Sequence, residues 1–146
     1  MVDLSLQELE YKLAEDIGKA AREYPRAALR YAAARLTPEL LDRCARREPR
    51  TALAYAAAHL TPERLDWCAE QDPVAALTFA PERLTPERLD ACAVADPSLA
   101  LTYAAKHLTQ ERLDWCAERL PYTALKCASE RFSEKRLREL LKILFG

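Results

Sequence analysis

Five cysteines, two histidines and two tryptophans are the residues of this 146-residue chain whose types could carry chemistry, and their spacing says which kind. Cys44, Cys68, Cys92 and Cys116 follow one another at intervals of 24 residues, so they are copies of a single position. Cys127 stands elsewhere in the pattern, in place of the aromatics Tyr31, Tyr55, Phe79 and Tyr103. Zinc sites use clustered ligands such as Cys-x-x-Cys with histidines nearby, and this spacing provides none. Equivalent residues of stacked repeats lie a helix diameter apart, roughly 9 to 10 Å, whereas a disulfide needs Cα atoms within about 7 Å. The expectation is a ladder of small buried thiols, with no metal and no cofactor. His59 and His107 are two copies apart, and no glycine-rich phosphate loop, nucleophile elbow or His-Glu-x-x-His occurs. No catalytic residue is assigned, and the chain is expected not to be an enzyme.

These residues are positioned by a unit that begins at Pro25 and again at Pro49, Pro73, Pro97 and Pro121. Self-similarity at such a period signals stacked repeats. In the second copy, PRTALAYAAAHLTPERLDWCAEQD, an acid before the proline suits a helix start, as at Glu48, Asp72 and Asp96. Ala52, Leu53, Tyr55, Ala56 and Leu60 hardly vary between copies, and at about 100° per residue they fill one arc of a helix. They read as its inward face. Thr61 then caps a second helix, Pro62 takes its first position, and Glu63 places negative charge at the positive end of the helix dipole. Leu60 and Leu65 occupy the hydrophobic-staple positions, and Leu65, Cys68 and Ala69 share the buried face.

The pattern predicts an all-α fold, a right-handed α-solenoid of about eleven short helices, with residues 1–146 as one domain. Its five 24-residue helix-turn-helix repeats are 25–48, 49–72, 73–96, 97–120 and 121–146, behind an N-terminal capping helix in 1–24. Ser5-Leu6-Gln7-Glu8 fits a capping box for that first helix. Gly18 stands there where the repeats carry aspartate. Pro81 replaces the Ala33, Ala57, Ala105 or Ser129 of other copies. A proline inside a helix costs about 3 kcal/mol, so the helix from Pro73 is expected to end early or kink near Ala80.

Outside the core, Asp42, Asp66, Asp90 and Asp114 lie on one flank of the second helix and Arg64, Arg88, Arg112 and Arg136 on the other. Stacking would bring one copy's arginine to its neighbour's aspartate, in ion pairs worth about 0 to 1 kcal/mol where exposed. Net charge is −3 for residues 1–24, +3 for copy one, −2 each for copies two and three, 0 for copy four and +3 for residues 121–146. An acidic middle suits a protein with a basic surface better than it suits nucleic acid, whose modules show a net basic face. His and Trp alternate with a period of two copies, as His59 with Trp67 and His107 with Trp115. Large aromatics are favoured binding anchors, so Trp67, Trp115, His59, His107, Glu63 and Glu111 are assigned to partner binding. The apolar end at Ile143, Leu144 and Phe145 is expected to form an oligomer or partner surface, such as a homodimer contact.

The words ALTYAAKHLTQERL and ALKCASERF resemble bacterial tandem short-helix repeats of unknown function. More distantly, the chain is similar to the 24-residue leucine-rich-variant solenoids, which pair an α-helix with a short helix. The resemblance covers residues 25–145 and implies a scaffold rather than an activity. Leucine-rich-variant proteins can carry an iron–sulfur domain with clustered cysteines, a segment absent from this sequence, so that cofactor is not carried over. The expected function is protein binding through one face of the solenoid. A narrower form is a small bacterial or phage inhibitor of a host defence complex, of the anti-CRISPR type. A different class is nucleic-acid binding through Arg26, Arg30, Arg43, Arg46 and Arg47. No apolar run approaches the roughly 20 residues of a membrane span, and MVDLSLQELEYKL lacks a signal peptide's basic start. A cytoplasmic location is expected.

Overall fold

Proline-led stretches become short helices throughout this computed structural model, which describes residues 6–146. In chain order the α-helices are α1 (Leu6–Glu23), α2 (Pro25–Ala32), α3 (Pro38–Arg47), α4 (Pro49–Tyr55), α5 (Pro62–Gln71), α6 (Pro73–Phe79), α7 (Pro86–Ala95), α8 (Pro97–Tyr103), α9 (Gln110–Arg119), α10 (Pro121–Ala128) and α11 (Glu134–Phe145). Among the described residues there is no strand. No described helix is long and apolar enough to cross a membrane. The Ser5 of the expected capping box lies outside the described residues.

Caps sit where the sequence places them, with one refinement by side-chain length. Thr37, Thr61, Thr85, Thr109 and Ser133 each accept a hydrogen bond from the backbone N–H three residues on, at 3.1–3.3 Å. Asp72 and Asp96 cap α6 and α8 in the same way, at 2.9 and 3.0 Å. Glu48, one methylene longer, makes no cap bond and instead pairs with Arg26 at 2.9 Å.

Between the two helices of each copy the chain tightens into a three-residue 3-10 turn, at Ala33–Arg35, Ala57–His59, Pro81–Arg83, Ala105–His107 and Ser129–Arg131. The helix from Pro73 does end early, next to Ala80, but the turn shows that Pro81 is not the cause. α6 stops at Phe79, but α4 and α8 stop at the equivalent Tyr55 and Tyr103 with alanine in place of the proline. Pro81 occupies the first position of its 3-10 turn, where a missing N–H costs little. It is a buried residue at a break common to all copies, and no kink is needed.

The chain divides into two units, Met1–Cys68 and Ala69–Gly146, with the division inside α5. In the first, α2 packs against α1, α3 and α4, and α3 against α1 and α4. In the second, α8 packs against its own partner α9 and against α6 and α10, the first helices of the copies on either side. Here α7 and α9, both second helices, also touch. Each contact joins elements close in sequence, so loop closure is inexpensive.

The core of each unit is small-residue rich. Leu29 and Leu53 in the first, and Leu77, Leu101, Leu113 and Leu140 in the second, are fully buried beside alanines such as Ala52, Ala76, Ala100 and Ala124. Alanine and cysteine at helix contacts let the axes approach to the short end of the usual 8–10 Å range. Tyr55 corrects the inward arc drawn from invariance, because it is half exposed at the end of α4.

Candidate protein-binding surfaces

The best-defined constellation in the first unit joins three residue types. Arg64, in the first turn of α5, reaches back to Asp42 on α3, its Nε and Nη2 donating to Oδ1 and Oδ2 at 2.5 and 3.2 Å. The same guanidinium lies over the ring of Trp67, 4.9 Å from its centroid. The i, i+3 spacing on one helix puts the ring under the arginine, and the bidentate carboxylate holds the arginine in place. Trp67 is half-buried as a result.

The second unit repeats the arrangement. Arg112 donates to both carboxylate oxygens of Asp90, at 2.5 and 2.8 Å, and lies 4.6 Å from the Trp115 ring centroid. Arg119, one turn further on, approaches the same ring at 3.6 Å and donates to the Trp115 carbonyl at 3.3 Å. The hydrogen bond to Asp90 pushes the Arg112 guanidinium up from its ordinary value. Arg136 carries the theme into α11, with Asp114 at 3.8 Å, Glu118 at 3.3 Å and Glu139 at 2.9 Å. Arg88 reaches Glu70 at 3.7 Å.

Both histidines are exposed at the ends of 3-10 turns, and Glu63 and Glu111 are exposed in the first turns of α5 and α9. His59 lines an open cleft of about 240 Å³ with Leu36, Leu41, Asp42, Thr61 and Arg64. Among the described residues each Trp ring contacts arginine, and no ring contact joins it to the histidine of its own copy.

The thiols behave as core atoms. Cys44, Cys68, Cys92 and Cys116 are buried and all five cysteines are free. Cys44 lies 3.5 Å from the carbonyl oxygen of Ala21, and Cys92 lies 3.9 Å from that of Ala69. Burial pushes the Cys68 and Cys116 thiols up to about 11, against which the nearby Arg64 and Arg112 pull only weakly. Among the described residues no three His, Cys, Asp or Glu side chains are grouped to hold a metal.

An aromatic ladder on the surface escaped the sequence reading. Tyr31 is 77% and Tyr55 51% exposed in the first unit, and the Arg30 guanidinium sits between them, 5.2 and 5.1 Å from the two centroids. In the second unit Phe79 is 43% and Tyr103 52% exposed. The available signal was residue type, since an aromatic retained in four copies beside invariant Ala and Leu is unusually large for a tightly packed interior. At the other end of the chain Ile143 is 58% and Phe145 81% exposed, while Leu144 is half-buried and Leu140 seals the core.

No protein-family model matches this chain, and no curated protein or solved structure matches it either.

Proposed function

We propose that this chain is a non-enzymatic protein-binding module acting in the cytoplasm, a right-handed α-solenoid of five 24-residue repeats that meets its partner through one face. Trp67 and Trp115 are its anchors, His59, Glu63, His107 and Glu111 supply further contacts, and the acidic copies two and three steer a basic partner surface toward them. One observation carries this reading: in each unit a tryptophan is fixed under a guanidinium that is itself clamped by an aspartate from the preceding copy. An aromatic immobilised before binding loses little conformational entropy when it docks, which is what a binding anchor requires. The exposed Tyr31, Tyr55, Phe79 and Tyr103 add rigid contact area of the same kind.

The test is capture of partners by the immobilised chain, compared with the Trp67→Ala, Trp115→Ala double variant. A stoichiometric partner held by the wild type is expected to be lost from the variant, with circular dichroism unchanged. Retention of that partner at the same affinity would remove the tryptophans from the site.

A further inference from the structure

At three contacts between successive second helices an arginine meets the aspartate 22 positions earlier: Arg64 with Asp42, Arg112 with Asp90 and Arg136 with Asp114. Where α3 packs on α1 the same two positions are Leu40 and Gly18. A Cβ built on Gly18 would lie 4.0 Å from Leu40 Cδ1, so the two positions do face each other, as they do elsewhere in the repeat. The ion pair is replaced here by an apolar floor.

Over that floor opens a cleft of about 300 Å³, lined by Ala21 and Leu40 below and by Arg22, Arg43, Arg46 and Arg47 around it. Arg47 is fixed by donating to the Arg22 carbonyl at 2.7 Å, and Arg46 leans on Asp42 at 3.2 Å. Asp42 is already clamped by Arg64. Arg22 and Arg43 have no acidic partner among the described residues. Four arginine side chains therefore line a mostly apolar cleft, with no carboxylate among the residues of its wall.

We propose that this cleft binds an acidic peptide segment of a partner, a Glu or Asp carboxylate entering among the arginines while a neighbouring apolar side chain covers Leu40 and Ala21. Charge complementarity selects an acid, and guanidinium forks pair with carboxylates in bidentate geometry. The size and the apolar floor select a peptide over a nucleic-acid strand, which needs an extended basic track for its backbone. α1 instead exposes Glu15, Asp16 and Glu23. Neither tryptophan lines this cleft, and the proposal stands whether or not they bind anything.

The probe is a fluorescein-labelled peptide of glutamates and leucines, titrated against the full chain by anisotropy, with a lysine–leucine peptide and an oligodeoxythymidine of equal length alongside. The acidic peptide is expected to bind saturably and to weaken with added salt. Arg22→Ala with Arg43→Ala should weaken it at least tenfold. The sharper variant is Gly18→Asp, which puts the repeat's own acid beside the cleft, facing Leu40 and one turn before Arg22. A Cβ there meets only ordinary van der Waals contact with Leu40, and the change removes a glycine from a helix interior, so it should fold about as stably as the parent while losing the peptide. Trp67→Ala with Trp115→Ala should bind the peptide as wild type does. Failure of the peptide to bind, wild-type binding by Gly18→Asp, or equal affinity for the oligonucleotide would each overturn the proposal.

Discussion

Arg112 and Asp90 illustrate why an ion pair at this surface is worth more than its exposure suggests. An isolated exposed pair contributes about 0 to 1 kcal/mol, but this one is bidentate and its cation also covers Trp115. A cation–π contact adds roughly 0.5 to 1 kcal/mol. Arg112→Ala is therefore expected to lower unfolding stability by about 1 to 2 kcal/mol in urea titrations. Arg138→Ala, whose pair with Glu134 is exposed on both sides, should cost under about 0.5 kcal/mol. The buried thiols predict a pH effect of definite sign. Because the Cys68 and Cys116 values are raised from 9.0 to about 11, the unfolded chain releases these protons first. Their contribution is fully present below about 9 and is lost as pH rises through about 11. Denaturation midpoints measured across that window should fall more steeply for the wild type than for Cys68→Ala with Cys116→Ala.

At the scale of elements, the positions that repeat were legible because their physics is local. Caps need one hydroxyl or carboxylate of the right length, which is why Thr61 and Asp72 read correctly and Glu48 did not. The inter-copy pairs of Arg64 with Asp42 and Arg112 with Asp90 followed from angular spacing alone. Invariance was the weaker guide, since it does not say which way a residue faces. The Tyr55 position is aromatic in four of the five copies and the Leu53 position is leucine in all five, yet one lies at the surface and the other in the core. The 3-10 turn was hidden because alanine tolerates many backbones, and only Pro81 marked it. Since every copy breaks there, Ala105→Pro is expected to cost well under the roughly 3 kcal/mol of a proline in a helix interior. Pro81→Ala should destabilise by about 0.4 to 1 kcal/mol through the freer unfolded chain. Thermal melts of the two variants check both figures, and a large stabilisation by Pro81→Ala would show that the proline had been straining a helix.

For the whole molecule, a 24-residue sequence pattern recurs in the capping residues, the buried leucines and the buried thiols. Departures from it mark the candidate surfaces: Gly18 and Leu40 in the first unit, Ile143 and Phe145 in the second. If stability is a sum of copies and their nearest-neighbour contacts, a complete copy is removable. Excising residues 97–120 joins Asp96 to Pro121, an acid–proline junction like Asp72–Pro73, and brings Arg136 into register with Asp90 in place of Asp114. The most direct measurement is a thermal unfolding profile of that shortened chain by circular dichroism, with and without Asp90→Ala. The repeat account requires a cooperative, fully helical protein, somewhat less stable than the parent, in which Asp90→Ala weakens a newly formed pair with Arg136. A shortened chain that is unfolded or molten would contradict it.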